Sequence, residues 1–150
     1  MNMNETLPLI ASLGAGLTAG VCFAFASFLM PAFDRLGARQ AIRVMQSINA
    51  GILRSSAIVI WFATAPLGVA AAVFAEDHVM ASAAAGLYVV GALLVTGRGN
   101  VPLNEALDGF SRELHDAEAA WRRYRVRWGR WNLLRTALLA GAAFGFALAA

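Results

Sequence analysis

Three groups of polar side chains stand where the long hydrocarbon runs of this chain end. Asn100, Asn104 and Asp108 follow one another at i, i+4 and i+8, a drift of about 80° if one helix carries them. Trp128, Asn132 and Arg135 stand at i, i+4 and i+7, within about 60° on one helical face. Gln46 and Asn49 are three apart at the approach to another apolar run. Amides, a guanidinium and a carboxylate are the parts of a polar pocket at the edge of hydrocarbon. Three such stripes at one depth of a helical bundle can converge.

Each stripe also has a plainer reading. Asn100 and Pro102 fit a helix N-cap and an early helical position, with Glu105 favourable in the first turns. Trp121, Tyr124, Trp128 and Trp131 fit an interfacial aromatic belt, and Arg135 can snorkel to lipid phosphate. Asn, however, is not a usual anchor, and several at one depth require partners.

The elements that would position these residues are set by composition. Of the 150 residues 59% are hydrophobic and only 14% charged, against roughly 25% charged in a soluble domain. Lipid is the solvent such a chain needs. Leu7 to Met30 is free of charge for 24 residues, about 36 Å as a helix, which crosses a ~30 Å hydrocarbon core. Pro31 is expected to end or kink it. Further runs give four spans near 7–30, 52–75, 79–96 and 133–150, the second tolerating Pro66. The expected fold is all-α: one integral membrane domain built as a four-helix transmembrane bundle. Gly16-xxx-Gly20 and Gly141-xxx-Gly145 offer smooth faces for close helix packing, which would also permit a homo-oligomer. The opening "MNMNETLP" carries Glu5 and no basic residue, so the first run reads as a retained span rather than a signal peptide.

All twelve basic residues are Arg, for a net charge of +3. Four lie between spans one and two, and most of the rest between spans three and four, whereas spans two and three are joined by Glu76, Asp77 and His78 alone. The positive-inside rule then puts both basic loops in the cytoplasm and both termini outside an inner (plasma) membrane. The segments 31–49 and 102–132 alternate apolar residues with Arg. They are expected as amphipathic cytoplasmic helices extending spans two and four.

Several chemistries are disfavoured. A lone cysteine, Cys22, forms neither an internal disulfide nor a CxxC pair, and reads as a small buried hydrophobe. No His lies within a span to ligate haem, and no carboxylate lies there to carry protons for an exporter. His78 beside Glu76 and Asp77 reads as a solvated turn rather than a metal site. Neither a metal nor another cofactor is called for. The Arg residues belong to a membrane edge, so nucleic acid is not an expected partner; a bilayer and a hydrophobic small molecule are.

"NVPLNEALD" (100–108), followed by the Trp121, Tyr124, Trp128, Trp131, Asn132, Arg135 series, resembles the anthrone oxygenase-like family of small four-span membrane proteins. The Gly-rich first span ending at Pro31, and the pair Gln46 and Asn49, are similar to that pattern too. The resemblance implies, as in some fungal members, oxidation of an anthrone to an anthraquinone by O2 without a tightly bound metal or flavin. It marks Asn100, Pro102, Asn104, Trp128, Asn132 and Arg135 as motif positions. An anthrone has an acidic methylene opposite its carbonyl, so the protein need supply an apolar slot, a base and donors for the developing oxyanion. Arg135, Asn132 and Asn104 are the candidate donors. Asp108 is the first candidate base and His115 the second. Asn100, Trp128, Gln46, Asn49 and Trp121 are candidates for substrate binding. The competing expectation is a non-catalytic membrane protein whose inner polar cluster locks helices together or docks a partner.

Overall fold

The computed structural model describes residues 2–109 and 116–150. The helices are α1 (Met3–Ala24), α2 (Met30–Asp34), α3 (Ala38–Ile52), α4 (Ser56–Phe74), α5 (His78–Val89), α6 (Val101–Asp108) and α7 (Ala117–Leu148). Two π-helical stretches join them: π1 (Phe25–Leu29) links α1 to α2, and π2 (Val90–Asn100) links α5 to α6. Four helical runs are long and apolar enough to cross a membrane: Met3–Asp34, Ser56–Phe74, His78–Asp108 and Ala117–Leu148. The protein is an all-α bundle of membrane helices.

Both π stretches precede a proline, and the physical reason is shared. Pro31 and Pro102 have no N–H to give and their rings crowd the carbonyl four residues back. Widening the preceding turns lets each helix run on instead of breaking. Pro31 therefore does not end the first span, and Asn100 does not cap a new helix. Asn100 has helical angles, φ −82 and ψ −41, and its side chain makes no cap bond. Hydroxyls bond backbone carbonyls in or beside these stretches: Ser27 donates to the Phe23 carbonyl at 2.7 Å and Thr96 to that of Gly91 at 3.2 Å.

The amphipathic helix ahead of span two is present as α3, but it is separate from the span. Leu53 to Ser55 form a turn in which the Ser55 N–H and hydroxyl both meet the Ile52 carbonyl, local bonding that competes with helix continuation. The two helices also have different jobs. α4 is apolar all round, whereas α3 turns Ala41, Ile42 and Met45 inward and leaves Arg39 and Arg43 exposed. α7, by contrast, runs unbroken from the basic end into the fourth span.

The bundle interior is made of small residues. Ala11, Ala15, Cys22, Ala71, Ala84, Ala92 and Ala142 pack around Tyr88, Leu139 and Phe146, while Leu13, Leu17, Phe62 and Phe144 face outward. This arrangement suits lipid, where close backbone approach rather than apolar burial drives helix association. Gly145 sits against Ala84 and Gly141 against Leu87, so that glycine pair joins α7 to α5. In α1 the closest approach falls at Gly14, under Thr64 of α4, while Gly20 has open space beside it. A second core, at the basic end, gathers Phe33, Ile42, Met45, Leu107, Trp121, Tyr124 and Trp128.

Gly14→Ala would drive a methyl into Thr64, whose hydroxyl is bonded to the Ile60 carbonyl and whose β-branch cannot swing clear. Thermal unfolding in detergent should show a loss of about 1–3 kcal/mol, the usual cost of overpacking. Gly20→Ala should leave stability unchanged or raise it, since a helical alanine is favoured over glycine.

Candidate functional site

The polar residues collect at the seam between the Ala-rich membrane core and the aromatic core. Asn132, on α7, is fully buried. Its Nδ2 donates to the Cys22 carbonyl at 2.9 Å, tying α7 to the last turn of α1. Its Oδ1 accepts from Arg135 Nε at 3.0 Å. The second bond joins side chains three apart on one face of α7, whereas the first crosses to a neighbouring helix. Thr136 donates to the Asn132 carbonyl at 2.7 Å.

The Arg135 guanidinium lies over two indoles, 5.5 Å from the Trp61 ring centroid and 5.2 Å from that of Trp128. Trp61 is itself held by α5 and π2: its carbonyl accepts from the Tyr88 hydroxyl at 2.7 Å, and its Nε1 donates to the Ala92 carbonyl at 3.1 Å. Thus one flat cation contacts aromatic rings from both α4 and α7. Among the described residues no carboxylate forms an ion pair with it, the ion pair present being Arg125 with Asp34. Its terminal nitrogens make no hydrogen bond among those residues either, and the side chain keeps 9% exposure. An unpaired cation at this depth is costly, and two aromatic faces offset only part of that cost.

A second polar group lies one to two turns towards the basic end. The Tyr124 hydroxyl donates to Asn104 Oδ1 at 2.9 Å, and Asn49 of α3 lies beside the same hydroxyl with its Nδ2 buried and unbonded. Asn100, 1% exposed, donates to the Trp128 carbonyl at 3.2 Å and leaves its own Oδ1 without a partner. Trp128 Nε1 is a further buried donor without an acceptor. Rings of Trp121, Tyr124 and Trp128 stack in sequence along α7, and Gly99 is bare because a Cβ there would fall 2.5 Å from Trp131.

The structure brings together Asn49, Asn100, Asn104, Trp128, Asn132 and Arg135 around this seam. Gln46 points elsewhere in the same neighbourhood, donating to the Leu107 carbonyl at 2.8 Å and so fastening α3 to α6. Trp121 is buried but spends its Nε1 on Asp34 at 2.9 Å. Asp108 is exposed at the end of α6, and His115 lies outside the described residues. Three contributors were missing from the sequence reading. Tyr124 shares the α7 face of Trp121, Trp128 and Asn132, a spacing that could have promoted it from belt to site. Trp61 and Asp34 carry no such local signal, because only the fold brings them to α7.

A family model described as anthrone oxygenase matches residues 43–145. Neither a curated protein nor a solved structure matches the chain. The matched stretch contains every residue of the seam from Asn49 to Arg135 and omits π1 and Cys22.

If Arg135 is retained for what it binds rather than for what it stabilises, Arg135→Met should fold normally. Removing an ion that lacks a carboxylate partner removes its desolvation cost along with its ring contacts. Its unfolding free energy in detergent should stay within about 1 kcal/mol of the parent's, whereas Asn132→Leu, which strips a buried bond from the Cys22 carbonyl, should lose about 1–3 kcal/mol.

Proposed function

Taking as premise that this chain is a membrane protein belonging to the anthrone oxygenase family, we propose that it oxidises a lipid-soluble aromatic ketone or quinone-like molecule with O2 at the Arg135 seam. The observation that carries this reading is the buried guanidinium with unused donors and no carboxylate partner. An intramembrane cation is expensive to keep, and an oxyanion is the ligand that would satisfy it. On the anthrone case the balance is simple: anthrone plus O2 gives anthraquinone plus water. Loss of a methylene proton leaves an anthrolate, whose negative charge gathers on the carbonyl oxygen. The electron-rich carbon then forms a bond to O2, and loss of water from the resulting hydroperoxide leaves the second carbonyl.

Within this reading each residue has a task that its bonding supports. Asn132 fixes the guanidinium through Nε and thereby directs the terminal donors, a preorganised charge for the oxyanion. Trp61 and Trp128 supply flat apolar faces at the height of a flat substrate. Tyr124, Asn104 and Asn49 are donors and acceptors for a polar substituent or for a departing proton. Asp108, one turn beyond Asn104 on the same helix, is the proposed proton acceptor at the mouth. Gln46 and Trp121 act by holding α3, α6 and α2 around the seam. The Arg-rich end is proposed to face the cytoplasm, with both termini outside.

The alternative, a purely structural polar cluster, is favoured by one observation. Asn132, Asn100 and Tyr124 each spend a hydrogen bond on a neighbouring helix or its carbonyl. Reconstitution in lipid nanodiscs with an anthrone decides between them. The parent protein should convert it to anthraquinone under O2 and not under argon, followed by absorbance. Arg135→Met should reduce turnover at least ~100-fold, the scale for loss of an oxyanion partner, while its melting temperature holds. Unchanged turnover in that variant, or none in the parent, would remove the assignment.

A further inference from the structure

On the outer surface of the bundle, π1 and α2 meet α7 along a groove of about 320 Å³. The void has a cause in the sequence. Gly129 carries no side chain, a Cβ there would meet nothing within 4 Å, and the facing position is the small, exposed Ala26. Its walls change character along their length. Towards the membrane they are Phe25, Ala26 and Leu133; towards the basic end they are Met30, Arg125 and Arg130. Arg125 is already engaged by Asp34. Arg130 is exposed and forms no ion pair among the described residues.

We infer that this groove is a binding site for an anionic phospholipid of the leaflet at the basic end, with its phosphate on Arg130 and the start of an acyl chain against Phe25, Ala26 and Leu133. The single argument is complementarity of both kinds at once. A free cation stands where a headgroup lies, and an apolar trough continues from it into the hydrocarbon. Basic recesses between membrane helices commonly hold such headgroups. The volume is at the lower end of small-molecule sites, enough for a headgroup and the first part of a chain, with the remainder in the bilayer. The groove also reaches Trp128 and Asn132 from behind, so a bound lipid would brace the two residues that hold Arg135. The inference does not depend on any catalytic role for the seam.

The test is native mass spectrometry of the whole protein released from bilayers of equal parts phosphatidylglycerol and phosphatidylcholine. The parent should retain one phosphatidylglycerol in preference to phosphatidylcholine. Arg130→Gln should lower that retention about fivefold, the scale for one cation at a membrane surface. Gly129→Leu, which fills the trough without removing charge, should lower it as well. Arg127→Gln is the control, because Arg127 stands one turn before Arg130 on α7 but does not line the groove; it should retain lipid as the parent does. Equal retention of the two lipids overturns the inference, as does equal loss from Arg127→Gln and Arg130→Gln, which would mean general surface charge. Displacement of the lipid by inorganic phosphate in the buffer would overturn it too, by showing an anion site that needs no lipid.

Discussion

A guanidinium set among apolar helices, with no carboxylate paired to it among the described residues, is the constraint around which the basic half of this bundle is built. Such a charge is accommodated here by an amide dipole and aromatic rings. Asn132 meets its Nε, and the rings of Trp61 and Trp128 lie against its guanidinium. Each of those three is then held by something else. Asn132 is fixed by the Cys22 carbonyl, Trp61 by Tyr88 and the Ala92 carbonyl, and Trp128 by its stack with Tyr124. The cost of one cation thereby propagates into contacts with α1, α4, α5 and π2.

Much of this was legible from residue order alone. Four apolar runs gave the spans, the acidic turn at 76–78 gave the hairpin, and the helical spacing of Trp128, Asn132 and Arg135 placed all three on one face. What sequence order conceals is which faces meet. Trp61 sits in a uniformly apolar helix with no period to orient it, so its position over Arg135 comes from packing alone. Asp34 is exposed and unremarkable until α2 is folded back onto α7. The prolines misled for a physical reason: proline as a helix terminator is a rule for regular α turns. Here the preceding turns widen and the helix continues.

Asn100 and Asn104 illustrate the same limit at finer grain. Their four-residue spacing puts them on one stripe, and both do turn towards α7. Yet they serve different layers. Asn100 binds the backbone of Trp128, whereas Asn104 binds the Tyr124 hydroxyl, one turn along. The cap reading fails for Asn100, since its side chain makes no cap bond and the run from His78 to Asp108 is continuous. Asp108, third in the stripe, is exposed at the end of α6. A stripe on one helix thus becomes a gradient, from sealed amide to half-buried amide to free carboxylate.

The two π stretches are the step that ties the seam to the fold. A widened turn alters the backbone hydrogen-bond ladder, and carbonyls in or beside it take side-chain donors from neighbouring helices. The Ala92 carbonyl lies in π2 and accepts the Trp61 indole; the Cys22 carbonyl lies one turn before π1 and accepts the Asn132 amide. Prolines 31 and 102 sit just past these stretches, on the two helices that flank α7. Their placement converts a defect in each flanking helix into an anchor for one residue that contacts the guanidinium. Side chains fastened to a neighbour's backbone have few ways to relax, so the guanidinium they hold is aimed in advance of any ligand.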